Sequence, residues 1–305
     1  MRTAFVSQLI KEAEQHPDIF LIIGDLGFNV VEEFAKKFPD RFLNAGIAEQ
    51  NMIGVAAGLA KEGYNVYVYS IANFPTLRCI EQIRYDVCYH NLSVKIVAVG
   101  AGYAYGSLGS SHHATEEMGM MRTIPDLVVA SPGDPIEAKA ITTLSANYQG
   151  PMYLRLGKAG EKQVHTTSFD NMMIGDIVAL KQGSTGRSAL LATGSILHYA
   201  NEFISEKGID TSLYSVPFIK PLNKQQIKEL AQKHNNIIVL EEHQKSAGLG
   251  SVIIEQVSDM YASGEISVFP KIKRVAIDDC FYHLSGSQAF LRKNAGLLLH
   301  ENMFE

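Results

Sequence analysis

Short apolar segments alternate with longer segments of helical periodicity over the first 156 residues, and this alternation constrains the fold most strongly. The predicted strands, each bounded by Gly, Pro or Asp, are Asp18–Ile23, Tyr64–Ser70, Ser93–Val99, Asp126–Ala130 and Met152–Leu156. The predicted helices are Val31–Phe38, Ala48–Lys61, Leu77–Tyr89, Thr115–Arg122 and Pro135–Ala146. Strands and helices that alternate in this way are typical of an α/β fold with a doubly wound parallel sheet.

A polar stretch, Gly157–Thr167, interrupts the apolar pattern and predicts a crossing between two domains. Beyond it, the predicted strands are Ile177–Leu180, Ser188–Ala192, Thr211–Ser215, Asn236–Leu240 and Arg274–Ile277. The predicted helices between them include Ile196–Glu206, Lys224–His234 and Leu249–Met260. We therefore expect two doubly wound domains, at residues 1–158 and 173–305, joined by a linker at 159–172; 305 residues suit two domains.

Charge and hydropathy exclude several classes of partner. Lys and Arg total 27 against 32 Asp and Glu, a formal charge of −5, and no basic run suggests a nucleic-acid partner. The longest apolar runs, Ile19–Ile23 and Val94–Val99, are far shorter than the ~20 residues that span a bilayer. The first 14 residues carry charges where a signal peptide needs an apolar stretch. We expect a cytoplasmic protein without membrane or nucleic-acid partners.

The three cysteines, Cys79, Cys88 and Cys280, are scattered and lack CxxC spacing. This pattern argues against a disulfide framework and against a structural zinc site. Each is interpreted as a buried small residue in a reducing compartment.

The segment Arg41–Ala60 is predicted to begin as a short strand, to turn at Gly46 and to enter a helix of mostly small residues. Glu49 lies in the first turn of that helix. An acid there can simply complement the helix dipole, which is worth ~0.3–1 kcal/mol. Alternatively, a carboxyl group at such a junction can share a proton with a bound base.

Three motifs follow one another along the first half of the chain: Ile22-Ile-Gly-Asp-Leu-Gly27, Gly46-Ile-Ala-Glu-Gln50 and the Gly- and His-rich loop Gly100–Glu117. In this order they resemble the pyrimidine-binding half of the transketolase family of thiamine diphosphate enzymes. The resemblance extends to residues 173–305, which are similar to the family's C-terminal domain, most clearly at Glu241-Glu-His-Gln-Lys-Ser-Ala-Gly-Leu-Gly250. It implies that thiamine diphosphate is the cofactor.

The resemblance assigns the cofactor contacts. Glu49 matches the glutamate that hydrogen-bonds N1′ of the pyrimidine and so activates the cofactor, and Ile47 belongs to the same cofactor-binding motif. Phe74, in Tyr69-Ser-Ile-Ala-Asn-Phe-Pro75, is the candidate for the aromatic ring that stacks on the pyrimidine. The spacing around Phe74 differs from that of several family members, and an ordinary core position is the alternative.

The loop Gly100–Glu117 has no Walker lysine and no GxGxxG spacing, so it does not predict a nucleotide site. His112/Glu116 and His113/Glu117 would be i,i+4 pairs in a helix, which leaves open a metal site or a solvated helix start. In the family, the residue matching His112 faces the reactive carbon and the substrate oxygens, and His113 is a second candidate proton donor. Imidazoles suit proton transfer near neutral pH.

Arg155 and Lys158 lie at the end of the last strand of the predicted first domain, in Tyr153-Leu-Arg-Leu-Gly-Lys158. They resemble positions where family members bind a substrate phosphate, and cations at the carboxyl edge of a sheet suit an anion. Salt bridges between the domains are the alternative.

Full-length members carry an upstream domain whose Gly-Asp-Gly motif and following Asn hold the diphosphate through Mg²⁺. No Gly-Asp-Gly occurs in these 305 residues. We therefore expect an N-terminal transketolase subunit as partner, an α₂β₂ heterotetramer, and Mg²⁺ ligands from that partner and none from this chain.

The function that the resemblance implies is transfer of a two-carbon ketol unit from a ketose to an aldose, both small sugars or sugar phosphates. The alternatives are the β subunit of a 2-oxo acid dehydrogenase E1 component and a subunit like deoxyxylulose-phosphate synthase. A non-catalytic scaffold or regulator is the alternative of another class.

Overall fold

The computed structural model describes residues 1–169 and 171–305 and contains two mixed sheets flanked by helices. The strands are β1 Ile19–Ile23, β2 Phe42–Asn44, β3 Asn65–Ile71, β4 Val94–Val99, β5 Val128–Ala130, β6 Met152–Leu156, β7 Val178–Lys181, β8 Ser188–Thr193, β9 Ser212–Ser215, β10 Phe218–Lys220, β11 Asn236–Gln244 and β12 Lys271–Ile277. The helices are α1 Arg2–Gln15, α2 Glu32–Lys37, α3 Glu49–Lys61, α4 Phe74–Leu77, α5 Glu117–Thr123, α6 Pro135–Asn147, α7 Leu197–Lys207, α8 Lys224–Lys233, α9 Leu249–Ala262 and α10 Gln288–Asn294.

The first sheet has the order β10-β5-β6-β4-β3-β1-β2 and is parallel except at β10. Its two faces bury different residues: Ile22 and Val68 pack with Ile53 of α3, whereas Leu21 and Tyr67 pack with Phe5 of α1. Burial of both faces explains why these strands read as continuous apolar runs. The predicted doubly wound sheet is confirmed.

The second sheet has the order β12-β11-β8-β9-β7, with β7 antiparallel to β9. Leu191 faces helices α8 and α9, and Leu190 faces α7 and α10. One apolar cluster contains buried residues of both sheets, such as Val129 and Leu191, so the two sheets share a core on one side. The predicted second α/β domain is confirmed.

Two elements differ from the sequence predictions. The helix expected at Leu77–Tyr89 is divided into the short helix α4 and a π-helical segment, Gln82–Cys88. A π turn holds one residue more than an α turn, and such turns are frequent at functional sites. The unpredicted strand β10 has three residues between two prolines and pairs antiparallel with β5. Strand β10 lies in the second half of the sequence but belongs to the first sheet, so the sheets do not divide the chain at one point. The domain limits at 158 and 173 stay predictions.

The parallel arrangement brings the carboxyl ends of β1, β3 and β4 to one edge of the first sheet. Ligands of open α/β sheets bind at this edge. The segments that follow these strands begin at Gly24, Ala72 and Gly100 and contain the motifs singled out above. Among the helices within the two described ranges, none combines the length and the apolarity that a membrane span requires.

Candidate active site

Glu49 is the first residue of α3, and the turn before the helix fixes its position. Asn44 at the end of β2 accepts hydrogen bonds at Oδ1 from the backbone N–H groups of Gly46 (3.0 Å) and Asp25 (3.1 Å). This contact joins the loops after β1 and β2. Helix α3 then packs Met52, Ile53, Ala56 and Ala57 onto the sheet, which leaves the Glu49 side chain only 5% exposed.

One row of contacts joins three of the predicted site residues. Arg78 Nη1 lies 3.2 Å from Glu49 Oε2, and the guanidinium carbon of Arg78 lies 4.1 Å from the centre of the Phe74 ring. The Phe74 ring also meets the His112 ring edge-on, with 5.4 Å between the ring centres. Glu49, Phe74 and His112 come from three separate motifs, and the fold brings them to the same edge of the first sheet.

A cleft of about 290 Å³ lies beside this row of contacts. Its lining includes Phe74, Arg78, Tyr103, His113, Glu116 and Phe281. Glu49 is adjacent to the cleft through Arg78 and does not itself line it. The cleft therefore combines an aromatic face, a cation and an imidazole.

His113 is 7% exposed and packs edge-on against Tyr103, with 5.0 Å between the ring centres. Asn73 Nδ2 donates a 2.6 Å hydrogen bond to the backbone oxygen of His113 and so fixes the backbone there. Burial lowers the pKa of the His113 imidazole below its usual value. Its Nε2 has no hydrogen-bond partner among the described residues, so this buried polar atom is available to a ligand in the cleft.

His112 ends a short 3₁₀ turn, Ser110–His112, and its Nδ1 lies 3.0 Å from Ser111 Oγ. Helix α5 begins only at Glu117, so neither His112/Glu116 nor His113/Glu117 has the helical register that an i,i+4 metal pair needs. Within residues 1–169 and 171–305, no group of three or more His, Cys, Asp or Glu side chains could hold a metal ion. The origin of the Mg²⁺ ligands stays a prediction.

Ile47 lies in the turn between Gly46 and α3, and 79% of its surface is exposed. It does not line the cleft. Its role in cofactor binding stays a prediction.

Arg155 is buried among protein acceptors. Its Nε donates to Glu117 Oε1 at 2.5 Å, and its Nη2 donates to the backbone oxygens of Ala114 (2.7 Å) and Glu242 (3.0 Å). Burial alone would raise the pKa of the Glu117 carboxyl, but Arg155 and His243 beside it hold that pKa below its usual value. The salt bridge to Glu117 lies within the predicted first domain, and the hydrogen bond to the Glu242 oxygen reaches the second. Lys158 is exposed, and phosphate binding by either residue stays a prediction.

Three consecutive residues of β11 explain the motif Glu241–Gly250. Glu241 accepts hydrogen bonds from the first N–H groups of α9, those of Leu249 and Gly250, and burial raises its pKa to about 7. Glu242 accepts one from the backbone N–H of Tyr103 at 2.9 Å, and His243 Nε2 accepts one from the backbone N–H of Gly119 at 3.1 Å. The motif therefore ties the site loop to the second sheet.

Close packing at this contact requires a glycine in the site loop. Gly102 has φ +60°, and a Cβ there would lie 2.5 Å from Glu242 Cδ. The backbone N–H of Tyr103 donates to Glu242 Oε1, and Arg292 of α10 donates to the other carboxylate oxygen, Oε2. The conformation of the loop that contains His112 and His113 thus depends on residues nearly 140 positions away.

Sequence reasoning missed several residues of the cleft. Arg78 could have been found, because Phe74 and Arg78 have i,i+4 spacing. Tyr103 and Phe281 carried no local signal. The interpretation of Cys280 as a buried residue is wrong: Cys79 and Cys88 are buried, whereas Cys280 is exposed and lines the cleft. The segment after β12 places Cys280 there, which no periodicity could reveal.

The site residues fit the pyrimidine half of thiamine diphosphate. Glu49 offers a shielded carboxylate at the start of α3, Phe74 offers an aromatic face, and His113 Nε2 is a buried polar atom without a partner among the described residues. A flat heteroaromatic ring with a basic nitrogen needs the first two of these groups. His113 Nε2 suits a polar group of a second ligand in the cleft.

Comparisons with known proteins identify both halves of the chain. Residues 1–160 match the family model for the transketolase pyrimidine binding domain, and residues 179–297 match the model for the transketolase C-terminal domain. One subunit of an apulose-4-phosphate transketolase from Actinobacillus succinogenes is 32% identical over 296 residues, which cover 96% of this chain and 92% of that protein.

Two further proteins place this match in context. A solved structure described as a split gene transketolase, inactive β4 tetramer, is 31% identical and has a TM-score of 0.83; the match covers 99% of this chain and 94% of that one. A 1-deoxy-D-xylulose-5-phosphate synthase from Dehalococcoides mccartyi is 32% identical over 96% of this chain. That match covers only 45% of the synthase.

Proposed function

Because this chain belongs to the transketolase family, we propose that it is the pyrimidine-binding subunit of a split, thiamine diphosphate-dependent transketolase. It transfers a two-carbon ketol unit from a ketose to an aldose. The observation that carries this proposal is the row of contacts from Glu49 through Arg78 and Phe74 to His112. Residues that three separate motifs assign to one reaction lie together at the ligand-binding edge of the first sheet.

Each site residue has its own role in the proposed reaction. Glu49 would hold the pyrimidine through a proton shared with a ring nitrogen, and Phe74 would orient the ring by stacking. Thiamine diphosphate, when bound, supplies the thiazolium carbon that carries the two-carbon unit. His112 and His113 exchange protons with the sugar oxygens, a role that suits His113 because burial keeps its imidazole neutral near pH 7.

The diphosphate end of the cofactor and its Mg²⁺ belong to a partner subunit in this proposal. The absence of Gly-Asp-Gly from the 305 residues supports it, as does the relative described as a split gene transketolase. The complete enzyme is an α₂β₂ heterotetramer in the cytoplasm. Small sugars or sugar phosphates are its substrates, and Lys158 is the exposed candidate for a phosphate contact.

A deoxyxylulose-phosphate-synthase-like activity is the second candidate, favoured by the 32% identity to such a synthase over 96% of this chain. Both reactions use the same glutamate and the same pyrimidine site. They differ in the donor: a ketose for the transketolase and pyruvate for the synthase. The donor therefore separates the two candidates.

A two-carbon transfer assay tests the proposal. The chain is co-expressed with the diphosphate-binding subunit of the same organism and assayed with thiamine diphosphate, Mg²⁺, a ketose donor and a panel of aldoses. We expect activity from the wild-type complex and less than about a tenth of it from Glu49→Gln, since removal of a positioned proton-transfer group costs roughly 10²–10⁴-fold. Glu62→Gln, at the exposed far end of the same helix, is the matched control and keeps full activity.

Three results would contradict the proposal. Turnover of pyruvate in place of the ketose would assign the synthase-like or 2-oxo acid branch. Retention of more than a tenth of the activity in Glu49→Gln would remove the role of this carboxylate. A complex that binds no cofactor and has no activity would point to a scaffold.

A further inference from the structure

Arg78 contacts both side chains that would bind the pyrimidine ring, Phe74 and Glu49. Its guanidinium is a flat cation that lies 4.1 Å above the Phe74 ring and 3.2 Å from the Glu49 carboxylate. A pyrimidine that shares a proton with Glu49 is likewise flat, carries positive charge and takes an aromatic face on one side. The arginine side chain and the cofactor ring therefore satisfy the same two partners by the same two interactions.

Arg78 and a bound pyrimidine cannot hold these positions together. A separation of 4.1 Å between the guanidinium carbon and the Phe74 ring centre is van der Waals contact, so no ring fits between them. Arg78 also lines the cleft, whereas Glu49 meets the cleft only through Arg78. A ligand that reaches Glu49 from the cleft must first displace the guanidinium.

The surroundings of Arg78 let its side chain leave while its backbone stays. Its side chain is 49% exposed, and Glu49 is the only hydrogen-bond acceptor of its guanidinium among residues 1–169 and 171–305. The backbone oxygen of Arg78 accepts a 2.9 Å hydrogen bond from Gln50 Nε2, which ties this residue to α3. The Glu49 carboxylate is buried and needs a partner, and a bound pyrimidine would supply one when the half-exposed guanidinium leaves.

We propose that Arg78 is an exchangeable occupant of the pyrimidine position: it pairs with Glu49 in the cofactor-free chain and gives up that place when the cofactor binds. This inference rests on the proposed function. One consequence is that Glu49 has a cationic partner before assembly. Another is that the apparent dissociation constant of the cofactor equals the intrinsic one divided by the fraction of chains in which Arg78 leaves the position free.

The test compares cofactor affinity in the assembled complex. Dissociation constants for thiamine diphosphate with Mg²⁺ are measured by titration calorimetry for the wild type, Arg78→Ala, Arg78→Lys and Arg84→Ala. Arg84 is an exposed arginine in the next turns that does not line the cleft, and so it is the matched control. We expect Arg78→Ala to lower the dissociation constant at least three-fold. Arg78→Lys, which keeps the charge without the flat stacking group, gives a smaller decrease, and Arg84→Ala gives no change.

An unchanged or raised dissociation constant for thiamine diphosphate in Arg78→Ala overturns the inference. If the wild-type complex binds the cofactor in the same experiment, the proposed function still stands. Absence of cofactor binding by the wild-type complex overturns both. A second readout needs no variant: arginine modification by phenylglyoxal, followed by mass spectrometry. We expect Arg78 to become more reactive when thiamine diphosphate is added and Arg84 to stay unchanged; a loss of Arg78 reactivity would show that it remains in its place and would overturn the exchange.

Discussion

His113 is the residue whose environment most directly sets a pH dependence. Its imidazole is buried against Tyr103, and burial lowers its pKa below the ordinary value of 6.5. The neutral form, which can accept a proton from a sugar hydroxyl, therefore persists to lower pH than in an exposed histidine. Loss of this form on acidification would remove the proton acceptor from the cleft.

We predict that the acid limb of the pH profile of kcat/KM lies below pH 6.5 in the assembled enzyme. His113→Gln is expected to lower kcat at least ten-fold and to flatten that limb, because glutamine keeps a polar group there but does not titrate. His90→Gln, an exposed histidine, serves as control and keeps the wild-type profile. An acid limb that persists unchanged in His113→Gln would assign it to another group.

For single residues, the sequence predicts the site positions that lie within short local motifs. Glu49, Phe74 and His112 each lie in a segment that follows a strand, and parallel strands bring such segments together. The partners that hold these residues lie far away along the chain. The contact of Glu242 with the N–H of Tyr103 joins residues 139 positions apart, and no pattern in one sequence identifies such a pair.

The linker between the predicted domains is held by one buried histidine. His165 Nδ1 lies 3.0 Å from Asp134 Oδ2, and its Nε2 lies 3.3 Å from Glu137 Oε1. Asp134 also caps α6, because its Oδ1 accepts from the N–H groups of Ile136 and Glu137. Its Oδ2 accepts from the backbone N–H groups of Val164 and His165. The start of α6 and the linker therefore share one acid.

The two carboxylates set the direction of the pH dependence. Burial alone would lower the pKa of His165, but Asp134 and Glu137 raise it above 6.5. The stabilisation is therefore complete below pH 6.5 and is lost as the pH rises through the raised pKa of the folded state. Burial also raises the pKa of Glu137, which acts in the same direction. Asp134, whose pKa is lowered to about 2, stays ionised over this range.

We predict that His165→Gln destabilises the chain by roughly 1–3 kcal/mol at about pH 6 and by less at about pH 9. Denaturant unfolding across this pH range measures the difference, with His300→Gln as the exposed control. Parallel stability curves for wild type and His165→Gln would contradict the assigned role of the imidazolium.

The elements themselves were predictable where burial follows a simple period. Helix α3 matches its prediction to within one residue because its buried residues recur at helical spacing behind a glycine turn. The π-helical segment Gln82–Cys88 keeps an almost helical pattern, so periodicity alone reads it as an α-helix. Strand β10 was missed because three residues between prolines carry no period, and its pairing with β5 decides its conformation.

At the scale of the whole molecule, one apolar cluster contains buried residues of both sheets. The two sheets therefore pack together behind the candidate site, which lies at one edge of the first sheet. That edge holds the residues that we propose to contact the pyrimidine and the sugar. Its described residues form no cluster that could hold a metal ion. We propose that the enzyme is divided between two chains, and the central claim is that catalysis needs both.

Reconstitution from separately purified subunits tests this claim most directly. The chain is titrated with the diphosphate-binding subunit in the presence of thiamine diphosphate and Mg²⁺, and two-carbon transfer from a ketose to an aldose is followed. We predict no activity from either chain alone and a rate that rises to a plateau at equal amounts of the two. Turnover by this chain alone, with the cofactor bound tightly, would contradict the claim.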